Sequence, residues 1–554
     1  MILNHFKSNL LSSIRLTFLS VRFKHSYVLG LRREDQSPWE RRTPLAPQHV
    51  RKLVKDNVKV LIQASNRRAY PTAVSGAIVQ EDLSEASLIL GVKQPPVDLI
   101  IPNKVYTFFS HTHKAQEANM SLLDACIEKN ITLIDYERIV DDDGVRLVAF
   151  GKYAGVVGMI NILHAMGLRF LALGHHTPFM HIGPAHNYRN NEQARMSIRD
   201  AGYEISLGLM PKSIGPLTIV FTGSGNVSQG AQEVFRELPF EYVEADALKH
   251  VAVSGDIRKI YGCIIKRKDH LVNKETGKYD ADEFVKYPER YTSIFKTNIA
   301  PFASVIINGI YWEQSQPKLL RIADAKVLLA PSANSQAWLP TENGCPVLPH
   351  RLLSICDITA DKGGSIEFVT QTTTIDHPFL LYDPHTQTAK ESFNGPGVLI
   401  CSIDNMPTQL PLEATEYFGS LLFPLIPTML QIDATKEFQL QNIPRVIKDA
   451  VLTANGHLTP KYSYITQLRE QRRIKQQLAS TKKRVLILGS GFVSAPAVEC
   501  LTRDNNISVT LVSSVKLEAD RLADLYPNTT PVMLDIMRSS EEVEKLIKDH
   551  DIVV

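Results

Sequence analysis

From Ser26 onward, short runs of branched apolar residues alternate with segments whose apolar positions recur at helical spacing. Tyr27-Val-Leu-Gly-Leu, Val58-Lys-Val-Leu-Ile, Ala86-Ser-Leu-Ile-Leu-Gly-Val, Val105-Tyr-Thr-Phe-Phe and Ile131-Thr-Leu-Ile predict strands, with helices from about Pro47 and Ala115 between them. Such alternation specifies a parallel sheet covered by helices, whose ligands sit at the carboxyl ends of the strands. The pattern restarts twice. Leu217 to Thr222 runs into a glycine turn and a helix over Ala231 to Leu238, and Arg484 to Leu488 runs into another turn, a helix and the strand Val509 to Ser514. Residues 265–345 are polar and irregular, and a largely helical return segment runs from Ile400 to about Leu478. The apolar run Ala154 to Leu173 carries Asn161, His164 and Arg169, which predicts a buried helix and no membrane span.

The glycine turns suggest chemistry. In Gly223-Ser-Gly225-Asn-Val-Ser228-Gln-Gly230 the backbone turns sharply enough to approach a diphosphate, whose charge the N–H groups of the following helix then meet. Gly223, Gly225, Ser228 and Gly230 are therefore candidate dinucleotide-binding residues, with Ser228 where a third glycine is expected. Glu244, 21 residues after Gly223, stands where an acidic residue takes a ribose hydroxyl. Gly489 and Gly491 open the later unit, where Ser513 and Ser514 replace that acidic residue and leave its coenzyme open. This unit stops after Asp551-Ile-Val-Val554, and half of a dinucleotide fold cannot close a substrate site.

A chain of 554 residues, 44% apolar, suggests three or four domains. The net charge of +3 is small and the charges are interspersed, so nothing gathers nucleic acid. Six scattered cysteines form no Cys-x-x-Cys pair, and a reducing compartment fits. Residues 1–26 differ from the rest. Lys7, Arg15, Arg22 and Lys24 stand among five serines with no acidic residue before Glu34, and Leu10, Ile14, Phe18 and Val21 share a helical face. This is the profile of a mitochondrial transit peptide. The remainder carries 57 basic against 58 acidic residues, so the basic excess belongs to the leader.

Two strand ends carry proton-transfer groups. Leu88 to Val92 runs into Lys93-Gln-Pro-Pro, and Val105 to Phe109 into Ser110-His111-Thr-His113-Lys114. Lysine and histidine can both exchange protons near neutral pH once burial or a neighbouring cation lowers the lysine, so Lys93 and His111 are a candidate acid/base pair. An arginine fork in Arg32-Arg33 or in Arg41-Arg42 can grip a carboxylate, although the same run also reads as a solvated loop. Asp361 precedes the turn Gly363-Gly364, where it could orient a charged substrate or the nicotinamide. His175, His176, His181 and His186 lack metal-ligand spacing and are interrupted by prolines, so no metal site is predicted.

These segments carry a resemblance. Gly91-Val-Lys-Gln-Pro-Pro, Phe108-Phe-Ser-His-Thr-His-Lys-Ala, Gly174-His-His-Thr-Pro-Phe-Met-His-Ile-Gly, Asn308-Gly-Ile-Tyr-Trp-Glu-Gln and Cys401-Ser-Ile-Asp-Asn are similar to the lysine-ketoglutarate reductases of lysine breakdown. Residues 483–554 resemble the opening of a saccharopine dehydrogenase. The resemblance implies an α/β protein with two Rossmann-like domains on the alanine dehydrogenase plan. The first is discontinuous, residues 27–155 and 376–478, around a dinucleotide-binding domain over 156–375, and a partial third Rossmann unit spans 483–554. Lys93 and His111 are implied as the acid/base pair, with His113 an extra histidine that leaves open which of the two faces the substrate. Arg42 is implied as the carboxylate-binding arginine, and Glu137 and Asp361 as further substrate-side residues. The implied reaction is NADPH-dependent condensation of L-lysine with 2-oxoglutarate to saccharopine, in the mitochondrial matrix, by a homo-oligomer that needs neither nucleic acid nor membrane. NAD is an alternative coenzyme for the partial unit, whose glutamate-forming activity is not expected here. Two other readings stay open: a simple amino-acid dehydrogenase, in which ammonia replaces lysine, and a non-catalytic form that binds nucleotide or docks to other subunits.

Overall fold

Strands form at the branched apolar runs, because such side chains pack well on both faces of a covered sheet. The structure is a computed structural model that describes residues 27–554 except 74–75, 331–345, 481–482, 492, 505 and 527; the leader at 1–26 lies outside the described residues. In chain order the first strands are β1 (Val28–Leu31), β2 (Lys59–Ile62), β3 (Ile78–Val79), β4 (Leu88–Leu90), β5 (Val105–Phe108) and β6 (Thr132–Asp135), with helix α1 (Pro47–Lys55) after β1. The helix expected from Ala115 begins at Met120, after a 3-10 turn over Glu117–Asn119.

Helix α2 (Gly151–Ala172) then leads to β7 (Leu217–Thr222) and, after the glycine turn, α3 (Asn226–Phe235). Strands β8 (Phe240–Val243) and β9 (Ile260–Ile265) follow, then a two-stranded ribbon of β10 (Leu271–Asn273) and β11 (Tyr291–Ser293) within the stretch that reads as irregular. Next come β12 (Val305–Asn308), β13 (Ser354–Asp357), β14 (Leu380–Asp383), β15 (Thr388–Lys390) and β16 (Val398–Cys401). The chain returns through α4 (Pro411–Leu422) to β17 (Val451–Ala454) and β18 (His457–Leu458).

Two eight-stranded sheets result, in the orders β18-β17-β6-β5-β4-β1-β2-β3 and β15-β14-β16-β13-β12-β7-β9-β8. The first domain is thus discontinuous, with β17 antiparallel to β6. The return point differs from the expected residue 376, because β14, β15 and β16 belong to the second sheet and only the segment after β16 rejoins the first. Ala414, Phe418, Leu422, Ile426 and Met429 share a core with β1, β2 and β4. Helix α2 is long and apolar enough to cross a membrane, but 78% of its most apolar stretch is buried, and its Val156, Ile160 and Leu163 lie in the core under β7, β12, β13 and β16.

The described residues divide into two compact units, one made of the residues up to His111 with Ser121–Leu458, the other of Thr112–Met120 with Thr459–Val554. Residues 459–478, expected in the first domain, therefore group with the second unit. There helix α5 (Tyr464–Ser480) holds the segment after His111: the Tyr464 hydroxyl donates to the His113 carbonyl at 2.9 Å and Arg472 donates to the carbonyls of Lys114 and Ala115. The rest of that unit is a parallel sheet of β19 (Lys483–Leu488), β20 (Ile507–Ser513), β21 (Thr529–Met533) and β22 (Ile552–Val553), ordered β21-β20-β19-β22.

Candidate active site

Lys93 and His111 leave adjacent parallel strands. β4 and β5 pair Leu90 with Thr107, and the ladder continues with the Phe109 N–H donating to the Val92 carbonyl at 3.1 Å. The Gln94 amide donates to the Ser110 carbonyl at 2.5 Å, tying the two loops together one residue beyond Lys93 and one before His111. Glu34 holds the base of the first loop. Its buried carboxylate accepts the N–H groups of Val92 and Lys93 at 2.7 and 2.9 Å and pairs with Arg32 at 3.3 Å. Burial raises the Glu34 carboxyl, with Arg32 opposing it.

Burial is also the largest effect on Lys93, and it lowers the amine; the Arg42 charge lowers it further, and Glu40, Asp404 and Glu34 oppose this. Lysine loses its charge more readily under such conditions. Arg42 does not present the open fork that its sequence context suggests. Its Nε and Nη2 donate to the two oxygens of Glu40 at 2.8 and 2.7 Å, and Nη2 also reaches the Asn405 Oδ1 at 2.7 Å. Among the described residues no acceptor meets Nη1, and the guanidinium lies 4.1 Å over the Phe150 ring. Burial alone would raise Glu40, but the Arg42 charge and hydrogen bond and the Asn405 amide hold it down at about 2.

His111 has a φ of 52°, a left-handed conformation that costs a side-chain-bearing residue about 1 kcal/mol. Strain of this kind concentrates at functional sites. Its ring stacks on Phe109 with centroids 6.3 Å apart, and its Nδ1 lies 3.7 Å from a Glu137 oxygen. Glu137 is placed by its N–H, which donates to Asp135 at 2.8 Å, and its other oxygen lies 3.4 Å from Arg146. Asp135 accepts the Ser110 hydroxyl at 2.5 Å, and burial pushes its carboxyl up to about 6. Beneath these groups Phe109, Tyr136, Phe150 and Phe418 form an aromatic floor, with Phe150 and Phe418 stacked at 4.2 Å and Phe418 supplied by α4.

The second sheet faces this site through its own strand ends. Asp361 follows β13 in a turn with Ala360 at φ 54° and Gly363 at φ 60°, and its charge, with that of Arg146 from the first domain, acts on Tyr311. A Cβ on Gly223, at φ 81°, would meet its nearest atom, the Gly309 carbonyl oxygen, at 3.7 Å, and one on Gly225 would meet no described atom within 4 Å. Both glycines thus keep open the space that a diphosphate would fill. Ser228 and Gly230 do not lie in the turn, because α3 begins at Asn226, five residues before the expected helix. The Ser228 side chain is buried against Gln232, although its N–H remains in the first helical turn, whose donors have no partner within the helix. A Cβ on Gly230 would stand 1.9 Å from the Lys152 carbonyl, so this glycine serves the crossing of α2 and α3. Gly489, at φ 117°, and Gly491 have nothing within 4 Å of a Cβ position, so the later turn is open as well.

The histidines at 175–186 go to separate partners: His175 approaches Ser213, His181 Glu204, and His186 Gln409. The residues that spacing does not reveal are Glu34, Glu40, Asp135 and Asn405. Glu40 stands two residues before Arg42 and so carries a local signal, but Asn405 is 363 residues away from it.

Residues 30–157 match the family described as alanine dehydrogenase/PNT, N-terminal domain. Residues 485–554 match the saccharopine dehydrogenase NADP binding domain. Over 97% of its length the chain is 56% identical to the mitochondrial alpha-aminoadipic semialdehyde synthase of Mus musculus, and 80% of it is 38% identical to the alpha-aminoadipic semialdehyde synthase of Arabidopsis thaliana. It is also 24% identical over 72% of its length to the NAD(+), L-lysine-forming saccharopine dehydrogenase of Yarrowia lipolytica, of which it covers 91%. The chain spans 58% of the mouse protein and 42% of the Arabidopsis one. By an identity of 56% sustained over 96–97% of its own length, the chain is similar to the mitochondrial alpha-aminoadipic semialdehyde synthases.

Proposed function

We propose that the chain is a lysine-ketoglutarate reductase of the mitochondrial matrix, which condenses the ε-amine of L-lysine with the ketone of 2-oxoglutarate and reduces the imine to saccharopine. The observation that carries this reading is that Lys93, whose amine burial lowers, and His111 leave neighbouring strand ends, over a site rich in carboxylate and guanidinium groups. The substrate amine must lose a proton before it attacks, and the hydroxyl of the resulting carbinolamine must gain one to leave as water. Lys93 and His111 share these transfers, as base and acid. Arg42 meets a substrate carboxylate with its remaining Nη1, while Glu137 steadies His111 and the substrate amine. Asp361 approaches from the second domain and holds the nicotinamide side of the cleft. Gly223 and Gly225 would hold NADPH, which when bound would supply the hydride. Holding both substrates and coenzyme in one cleft makes their encounter effectively intramolecular. The same reading makes the enzyme a homo-oligomer and gives the later unit, at Gly489 and Gly491, a nicotinamide nucleotide of its own without a completed glutamate-forming site.

The test is NADPH oxidation by the purified chain with lysine and 2-oxoglutarate, each omitted in turn. Oxidation is expected only with both; oxidation without lysine, or with ammonia in its place, would sink the reading. Lys93→Met and His111→Ala are each expected to fold normally and to lose on the order of a hundredfold or more in turnover. A variant that turns over near the parent rate removes its residue from the chemistry.

A further inference from the structure

In a doubly wound nucleotide unit, the strand beside the glycine-turn strand ends in the residue that reads the adenosine 2′ position. An acidic residue there takes a hydroxyl, and an arginine takes a phosphate. Sequence spacing assigns that place to Glu244, after β8, but β8 is the edge of its sheet. Strand β9 lies between it and β7, paired from Leu217 with Ile260 to Thr222 with Ile265. The Gly223 N–H closes this pairing on the Ile265 carbonyl at 2.8 Å. What leaves the sheet beside the glycine turn is therefore Lys266-Arg267-Lys268. In the later unit the neighbour of β19 is β20, the next strand in the chain, so the displaced order belongs to the inserted domain.

Lys266 and Lys268 are exposed and Arg267 is half-buried. None of the three side chains is in an ion pair among the described residues. The nearest acid in sequence, Asp269, is occupied by the Lys266 N–H at 2.7 Å. The guanidinium of Arg267 lies 5.4 Å from the Phe284 ring, and with His270 it faces Ile310 and Trp312, which follow β12 on the far side of β7.

We propose that Lys266, Arg267 and Lys268 read the 2′-phosphate of the coenzyme's adenosine, and that Arg267 sets the preference for NADPH over NADH. The proposal rests on the reading that the Gly223 turn holds a nicotinamide dinucleotide. A phosphate monoester offers up to two negative charges and three acceptor oxygens, which a guanidinium fork meets bidentately and flanking lysines reinforce. Glu244, one strand further out, does not select the coenzyme.

The full chain is titrated with NADPH and with NADH by nicotinamide fluorescence, in a Gly491→Glu background that closes the later turn. The parent is expected to bind NADPH at least about tenfold more tightly than NADH, and Arg267→Gln to weaken NADPH by about ten- to a hundredfold while NADH changes less than about twofold. Retained NADH binding also shows that the variant folds. Glu244→Gln should leave the ratio unchanged. A parent without preference, an Arg267→Gln variant that loses both coenzymes equally or neither, or a ratio that moves with Glu244→Gln overturns the assignment. The titration needs neither lysine nor 2-oxoglutarate. A chain that discriminates the coenzymes but does not condense those substrates would sink the proposed reaction and leave Arg267 standing.

Discussion

Asp357 ends β13 with its carboxylate sealed in a polar network, where Oδ1 accepts from Asn308 at 2.9 Å and Thr359 at 2.7 Å. Asn308 in turn accepts from Thr222, the last residue before the glycine turn. Burial pushes the Asp357 carboxyl up to about 6 from an ordinary 3.8. The folded protein therefore holds this proton more tightly than the unfolded chain, so the contribution of Asp357 to stability is fully present below about pH 4 and is lost as pH rises through about 6. Asp357→Asn keeps the Oδ1 acceptor and removes the charge. It is expected to flatten this fall and to raise stability near pH 7 by up to about 2–3 kcal/mol, read as urea midpoints from pH 4 to 7. Part of the slope should survive, because Asp135 is raised in the same direction. An unchanged slope would mean that Asp357 titrates normally. At this scale the sequence marks reactive residue types at strand ends, Lys93 and His111 among them. It does not mark Glu34, which pins the Lys93 backbone from 59 residues away, because a hydrogen bond across a sheet leaves no local spacing.

Helix α3 shows how an element can be right in kind and wrong in extent. The strand, the turn and the helix after it all follow from branched residues, glycines and apolar spacing. The helix start at Asn226 does not, because Val227 and Ser228 have the propensity of a loop and are held helical by packing. Gly155 and Gly230 make that packing. A Cβ on either would stand 1.9 Å from a backbone carbonyl of the other helix, of Val227 and Lys152 respectively. Gly230→Ala is expected to cost at least about 1–3 kcal/mol in chemical denaturation, since the helices must separate to admit the methyl. Gly225→Ala meets open space at an ordinary φ of −77°, so its stability should change by less than about 0.5 kcal/mol while coenzyme affinity falls. Equal stability losses in the two variants would reject this division of labour.

At the scale of the whole chain, α4 returns after the inserted domain to complete the floor of the site with Phe418, which stacks on Phe150 and meets Tyr136 edge-on at 5.0 Å. Phe418→Ala is expected to cost about 3–5 kcal/mol. It should also lower turnover in the protein that remains folded, because Phe150 supports the Arg42 guanidinium; a stable variant with full activity would detach the floor from the site. What the sequence by itself determined is local: alternating strand and helix, the two glycine turns between strand and helix in the inserted and later units, the burial of α2 and the chemical types at the strand ends. Each depends on contacts between residues a few positions apart, which periodicity and turn chemistry record. Only the tertiary structure decided that β14 to β16 join the second sheet, that β9 displaces β8 beside β7, and that Arg42 is already paired with Glu40 and Asn405. Strand neighbours and buried charge partners are chosen by long-range packing, and any of several sheet orders would satisfy the same hydrophobic pattern.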